Sequence, residues 1–506
     1  MRITNKIMQR NSITNLNRNK VLSDKLNNQL TLEKKITRPS DDPVIAIRSL
    51  RLNTSITQLT QYYEKNAPDA SAWLQATEEA VDITSSVITD MYEQCTNGAK
   101  GSMTAADRKI VLESLKSLRA EVYSTGNTDY AGRYLFSGYR TDTPLTFENA
   151  TEKTYSITEQ LGVENITNFT HVDSADLVRL TEANAENGIT AVENDVASYE
   201  VHRIQLAYSN LDDGTVPTIQ YYEGGVLTTV APIEVQSANQ PTPNAYTNPA
   251  PNTAYFIPET GEIVLGQNLY EKMMGALDDL STEAVNEGEI RITYEKTNWN
   301  KNDLIPEHYY ACESDGVKYN QNFLTNNTND EDAQVISYDV GLNQSLRVNT
   351  TAGEVYVAEI GRNVDDLIRV ADEAVKMEGV VATLEAMVKQ DPENETLQDR
   401  LNAAKKAMTY LADRMQKTFE HGITQMQGHL DRVNQALTQI GARGQRLDLI
   451  SNRLGSQQTT FKTLSSENED VDIAEVAVQL SSAQLSYEAS LMATGKIAQT
   501  TLLNYL

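Results

Sequence analysis

Cysteine is nearly absent from this chain: Cys95 and Cys312 stand far apart among 506 residues, with no CxxC or zinc-ligand spacing. That excludes a disulfide framework and makes a structural zinc site unexpected. Basic charge is also short, with 43 Lys and Arg against 70 Asp and Glu, a net charge of −27. A surface this negative repels phosphate, so nucleic acid is not expected as a partner. No apolar run approaches the ~18 residues of a bilayer span, and membrane insertion is not expected. The opening Met1-Arg2-Ile3-Thr4-Asn5 does not lead into the apolar stretch of a cleavable secretory signal.

Signatures of catalysis are missing too. His171, His202, His308, His421 and His429 form no HExxH or His-carboxylate spacing, and neither GxSxG, a Walker A sequence nor GxGxxG occurs. The acidic run Asn329-Asp330-Glu331-Asp332 lacks the glycine and distal glutamate of a calcium loop and reads as a solvated turn. The expectation is a protein that is not an enzyme and has no catalytic residue, cofactor or metal.

What the chain does have is periodicity. At 40% hydrophobic and 22% charged it has the composition of a folded protein long enough for about three domains. A 4-3 alternation runs through Leu52, Ile56, Leu59, Tyr63, Asn66, Ala70, Trp73, Thr77, Ala80, Thr84, Val87, Met91 and Gln94. A second run goes from Phe419 through Met426, Val433, Ile440, Leu447 and Leu454 to Phe461. Both are coiled-coil seams of equal length, suited to lie side by side, although each also fits the inner face of a separate bundle helix. Pro68 inside the first predicts a kink or break near Ala67. Arg38-Pro39 is expected to end one helix, and Asp42-Pro43 to cap and open the next. Further helices are predicted from about Ala105 to Gly126 and from about Val355 to Lys389, with a break at Asp391-Pro392.

Between about residues 146 and 352 the pattern changes to short alternating runs such as 199–208, 218–222 and 289–294, which fit strands. Pro258-Glu259-Thr260-Gly261-Glu262 reads as a hairpin turn, and the proline-rich segment 237–253 as an extended loop. The predicted fold is therefore mixed α and β: a long α-helical coiled-coil rod built from both termini, with a β-rich inserted domain. The ends also differ in charge, +7 over residues 1–38 against −4 over 462–506, so they should attract. Ile473, Val476, Ala477, Leu480, Ala483, Tyr487, Leu491 and Ile497 give the last helix an apolar face broad enough to need partners on more than one side. With Ile3, Ile7, Leu22 and Leu26 of the first helix, Ile473, Val476, Leu480, Tyr487, Leu491 and Ile497 are the candidate subunit-interface residues.

Four stretches carry a resemblance: Met1-Arg2-Ile3-Thr4, Pro39-Ser40-Asp41-Asp42-Pro43, Gly132-Arg133-Tyr134-Leu135-Phe136-Ser137-Gly138-Tyr139, and Ser466-Glu467-Asn468-Glu469-Asp470-Val471-Asp472-Ile473-Ala474-Glu475. Through them the chain resembles the flagellin-like axial proteins of the bacterial flagellum, over about residues 1–147 and 353–506. The phrase from Gly132 to Tyr139 sets it beside members that join hook to filament, since filament flagellins tend to carry a different one. The resemblance implies an inner tube from residues 1–43 and 465–506, a helical shell from 44–145 and 353–464, and an outward-facing insertion at 146–352. It also implies helical self-assembly into a ring of identical subunits, a hook-side junction protein and flagellin as neighbours, and an export chaperone. The implied location is the extracellular flagellum, reached by type III export without a cleavable signal. A filament flagellin, or a secreted adhesin or glycan-binding coiled-coil protein working through its Tyr-rich and Thr-rich insertion, are the alternatives.

Overall fold

A computed structural model describes the chain except for residues 1–4, 101–102, 104, 186–187, 224–225, 239, 241–243, 279–288, 325–333 and 504–506. The described residues form long helices at both ends and a β-rich middle. In chain order the helices are α1 (Asn5–Leu32), α2 (Pro43–Gln61), α3 (Ala67–Gly98), α4 (Ala105–Gly126), α5 (Gln267–Asp278), α6 (Ala352–Val355), α7 (Ala358–Gln390), α8 (Glu395–Glu469) and α9 (Ile473–Leu503). The chain divides into two compact units, Met1–Ala70 with Tyr338–Leu346 and Gln445–Leu506, and Ser71–Ser337 with Arg347–Gly444.

The expected start at Asp42-Pro43 is present: the Asp42 carboxylate accepts from the backbone N–H of Val44 (2.9 Å) and Ile45 (3.2 Å), while Pro43 occupies the first helical turn. One predicted boundary differs. Helix α1 ends at Leu32, not at Arg38, because Glu33 turns with φ at +58° and the following residues bond to the far end of the chain. Near Ala67, where a kink or break is expected, the α-helix is interrupted but the chain stays helical. One π turn, Tyr62–Asn66, precedes Pro68, and the Ala67 N–H reaches back to the Tyr62 carbonyl. Widening that turn relieves the clash a proline ring makes with the carbonyl four residues earlier. Side chains of the first unit hold this turn: Gln458 donates to Thr60 and Glu64 (2.9 Å each), and Asn66 donates to the Asp339 carbonyl (2.7 Å).

The heptad reading of the second seam matches burial in α8, where Phe419, Met426, Val433, Ile440, Leu447 and Leu454, each seven apart, are all buried. Within the second unit α3 runs antiparallel to α8, with Ser85 bonded to Asn434 and the Phe419 ring lying against Gly98. Trp73, Thr77, Ala80, Thr84, Val87 and Met91 of α3 are buried as the first seam predicted.

The middle of the second unit contains two main sheets. In the six-stranded antiparallel sheet the spatial order is 317–319, 311–314, 151–161, 290–299, 218–223, 226–229. In the five-stranded sheet it is 166–173, 197–205, 262–265, 254–257, 233–235, the last pair parallel. The three predicted strand runs all lie in these sheets. The predicted hairpin joins 254–257 to 262–265, with Gly261 at φ +65° where a side chain would meet the Tyr208 carbonyl. Strands pack over alternating positions, as in 290–299, where every second residue from Ile290 to Tyr294 is buried.

Candidate assembly surface

Helices α1 and α9 lie against each other in the first unit. Their partners pair high numbers with low: Asn19 donates to Ser490 (2.9 Å), Leu26 packs with Val476, Leu480 and Ala483, and Lys34 bridges to Asp470 (2.5 Å). The two helices therefore run antiparallel. Leu30 and Val471 close the apolar cluster.

Where the two ends meet, the opposite charges noted in the sequence are in contact. The Lys35 N–H donates to the Glu469 carbonyl (2.7 Å), and the Val471 N–H to the Glu33 carbonyl (3.1 Å). Lys34 also reaches Glu469 (3.4 Å), and Asn53 donates to the same carboxylate (3.1 Å). The Lys34 hydrogen bond holds the Asp470 carboxyl below its ordinary range, and Asp470 in turn raises Lys34. Asp472 then caps α9, accepting from the N–H of Ala474 (2.9 Å) and Glu475 (3.3 Å). The stretch Ser466 to Glu475 is thus the splice that sets α9 on α1.

The proposed interface residues divide into two sets. Leu26, Val476 and Leu480 are buried in the seam between the chain's own helices, and Tyr487 is half-buried. Ile7, Leu22, Ile473 and Leu491 remain about half exposed. Ile3 lies outside the described residues, as does the side chain of Ile497. A second stripe on α9 escaped the sequence reading: Val478, Leu485 and Met492 are 70%, 71% and 69% exposed. They recur every seven residues, a period visible in the sequence but lying outside the face drawn through Ile473, Val476, Leu480 and Leu491. On α2, Val44, Ile47 and Leu50 form another exposed apolar row. Large apolar side chains exposed at regular intervals along each helix are where a further molecule would gain by burial.

The other family stretches are structural. Asp41 accepts from the N–H groups of Thr37 (3.1 Å) and Arg38 (2.9 Å), fixing the turn that holds Pro39 and Ser40 before Pro43 opens α2. Gly132 and Gly138 take φ of +76° and +63°, which favours glycine at both. Between them Arg133 covers the Trp73 ring (4.8 Å), Tyr134 pairs with Asp129, and Phe136 meets the Tyr356 ring edge-on (4.8 Å). The Ala352 N–H donates to the Phe136 carbonyl (2.9 Å), and Tyr139, half exposed, donates to the Val335 carbonyl (3.2 Å). This phrase fastens the chain entering the insertion to the chain leaving it.

Burial pushes the Cys95 and Cys312 thiols up to about 12 and holds His171, His308 and His429 down to about 4, so these groups are unreactive or neutral. Among the described residues no three of His, Cys, Asp and Glu group as metal ligands, and no helix is long and apolar enough to cross a membrane.

Residues 3–141 match the bacterial flagellin N-terminal helical region, and residues 423–506 match the bacterial flagellin C-terminal helical region. Flagellar hook-associated protein 3 of Salmonella typhimurium is 27% identical over 152 residues, 30% of this chain and 47% of that protein. Its Escherichia coli namesake is 25% identical over 144 residues, 28% and 45% of the two chains. The chain thus spans about half the length of the curated relatives it matches. Among solved structures, a flagellar hook-associated protein of Vibrio parahaemolyticus is 14% identical with a TM-score of 0.37, over 85% of this chain and 100% of that one. Xanthomonas campestris FlgL is 13% identical with a TM-score of 0.31, over 82% and 99%.

Proposed function

We propose that this chain, a member of the bacterial flagellin family at both of its ends, is a structural subunit that self-assembles into the junction between flagellar hook and filament. The observation that carries the reading is the stripe Val478–Leu485–Met492: a helix already seated on α1 through one face keeps a second apolar face exposed. In water such a face is unfavourable, and copies stacked in a ring would cover it. In this reading residues 1–43 and 465–506 form the inner tube, 44–145 and 353–464 the shell, and 146–352 the outward insertion. Ile7, Leu22, Ile473 and Leu491 belong to the surfaces that copies bury. The neighbours are further copies, a hook-side junction protein and flagellin, with a chaperone escorting the chain through flagellar export. Its role is mechanical, and its place is the extracellular flagellum. The relatives' shared name, hook-associated protein 3, favours the junction over the filament shaft. Immunogold labelling of intact flagella tests this: a single band at the hook-filament boundary is expected, and labelling along the whole shaft would make the chain a filament flagellin.

A further inference from the structure

Strand 290–299 turns alternate side chains inward, and after Ile290, Ile292 and Tyr294 the next inward position holds Lys296, only 1% exposed. A buried ammonium is costly unless an opposite charge compensates it. Its Nζ donates to the Ser209 (2.7 Å) and Asn210 (3.1 Å) carbonyls, which leave the charge in place, and lies 5.1 Å from the centre of the Trp299 ring. An ammonium has three donors, and these bonds use two. Asp212 and Asp303 act on Lys296 through space, but their carboxylates accept from the Thr297 hydroxyl (2.6 Å) and the Asn300 N–H (2.9 Å) instead. Burial lowers the Lys296 pKa, so the charged form would gain from an anion beside it.

Lys296 lines a cavity of about 340 Å³ that lies wholly within the second unit. Helix α4 brings Arg119 to it, α7 brings Arg362 and Asp365, and the segment after the strand brings Lys301 and Asp303. Cations therefore outnumber carboxylates four to two, in a chain whose net charge is −27. Asp365 is shared between the guanidinium groups of Arg119 and Arg362 (3.3 Å), so that wall keeps a positive excess. Arg362 is fixed in place by its bonds to the Leu206 (2.9 Å) and Thr260 carbonyls. Burial raises the Asp303 carboxyl, which eases its neutral form, and Lys301 is the exposed member of the set.

We propose that this cavity binds a small organic oxyanion, whose phosphoryl or carboxylate oxygens meet Lys296, Arg119 and Lys301. Ammonium and guanidinium donors make short, charge-assisted bonds to such oxygens, and an anion here compensates the one charge that strand 290–299 buries without a partner. The volume falls at the lower end of small-molecule sites and leaves room for a body beyond the charged group. Every wall belongs to the second unit, so the site does not depend on the flagellar reading.

Calorimetric titration of the full chain at low ionic strength tests this, with inorganic phosphate, glucose 6-phosphate and citrate as probes and glucose as the uncharged control. Saturable binding of at least one anion at one site per chain is expected, with affinity falling as sodium chloride is added. Preference for glucose 6-phosphate would make the ligand a phosphoryl compound, and preference for citrate a polycarboxylate. Lys301→Glu, at an exposed position, should weaken binding at least about tenfold with an unchanged melting curve, and Lys296→Met should abolish it. The proposal is overturned if no anion binds, if glucose binds as well as glucose 6-phosphate, or if Lys301→Glu leaves the affinity unchanged.

Discussion

Replacing Leu485 by aspartate separates assembly from folding. Full burial of a leucine side chain is worth roughly 1.5–3 kcal/mol. Leu485 is 71% exposed in the single chain, so about 1–2 kcal/mol of that remains to be gained when a neighbour covers it. With each 1.4 kcal/mol a factor of about ten, Leu485→Ala should raise the critical concentration for assembly roughly tenfold. Leu485→Asp adds the desolvation of a charge, of the order of several kcal/mol, and should raise it at least about a hundredfold. The monomer should be unaffected by either change, with the same helicity and melting curve by circular dichroism and the same tryptic pattern. Leu480 provides the contrast, since only 8% of it is exposed and it sits in the seam with Leu26. Leu480→Asp should therefore loosen α1 and α9 in the monomer itself and make them early targets of trypsin. Assembly of Leu485→Asp at the wild-type critical concentration, measured by sedimentation and electron microscopy, would refute the reasoning.

In the second unit, Glu159 is buried at the end of the Tyr294 and Ala207 hydrogen bonds, and burial pushes its carboxyl up to about 7. A folded-state value above the unfolded one means that its contribution is complete at low pH and is lost as pH rises through about 7. The buried neutral histidines act oppositely, losing stability as pH falls from 6.5 toward 4, and the two windows overlap, so the comparison with Glu159→Gln isolates the carboxyl. Between pH 5 and 8 the urea midpoint of the wild type relative to that of Glu159→Gln should fall with rising pH; a constant difference would count against the assignment. At Gly98 an added methyl would lie 2.3 Å from the buried Phe419 ring, so Gly98→Ala should destabilise by about 1–3 kcal/mol despite alanine's better helix propensity. A raised melting temperature would show that the ring can yield. Thr84 is fully buried in the seam, donating to the Ala80 carbonyl (2.8 Å) and lying 3.0 Å from the buried Tyr356 hydroxyl. Thr84→Val should cost about 1–3 kcal/mol by leaving that hydroxyl without its partner, and a neutral effect on denaturant unfolding would contradict this.

Local chemistry made much of this legible in the sequence. The seven-residue recurrence from Phe419 to Leu454, the Asp42-Pro43 cap and the hairpin at Gly261 each depend on neighbours within a few turns. The features that escaped depend on partners far along the chain. What ends α1 at Leu32 is the stretch around Glu469 and Asp470, so the nearby Arg38-Pro39 misled. Strand 311–314 pairs with 151–161, and no local pattern specifies that choice. Arg203, Glu262, Asp366 and Arg369 come from two strands and α7 to form one buried ionic network, again without a spacing signature. On α9 the signal is local: the seam and the exposed stripe share one helix, and Val478, Leu485 and Met492 recur every seven residues outside the single apolar face drawn from Ile473 to Ile497.

That division matters for the terminal helices. Among the described residues, the cluster joining α1 to α9 consists of Leu26, Val476, Leu480 and Ala483, with Leu30 and Val471 at its edge, on helices of 28 and 31 residues. Half-buried positions continue this seam at Leu16, Asn19 and Ser23 on α1 and at Tyr487, Ser490 and Thr494 on α9, so each helix is held through one face only. Meanwhile Ile7, Ile13, Val21 and Leu22 on α1 and Val478, Leu485 and Met492 on α9 stay exposed. Apolar side chains at these positions do nothing for a solitary helix pair and add an aggregation risk. The same residues become stabilising once other copies of the pair surround them, so the ends should gain stability as the assembly grows.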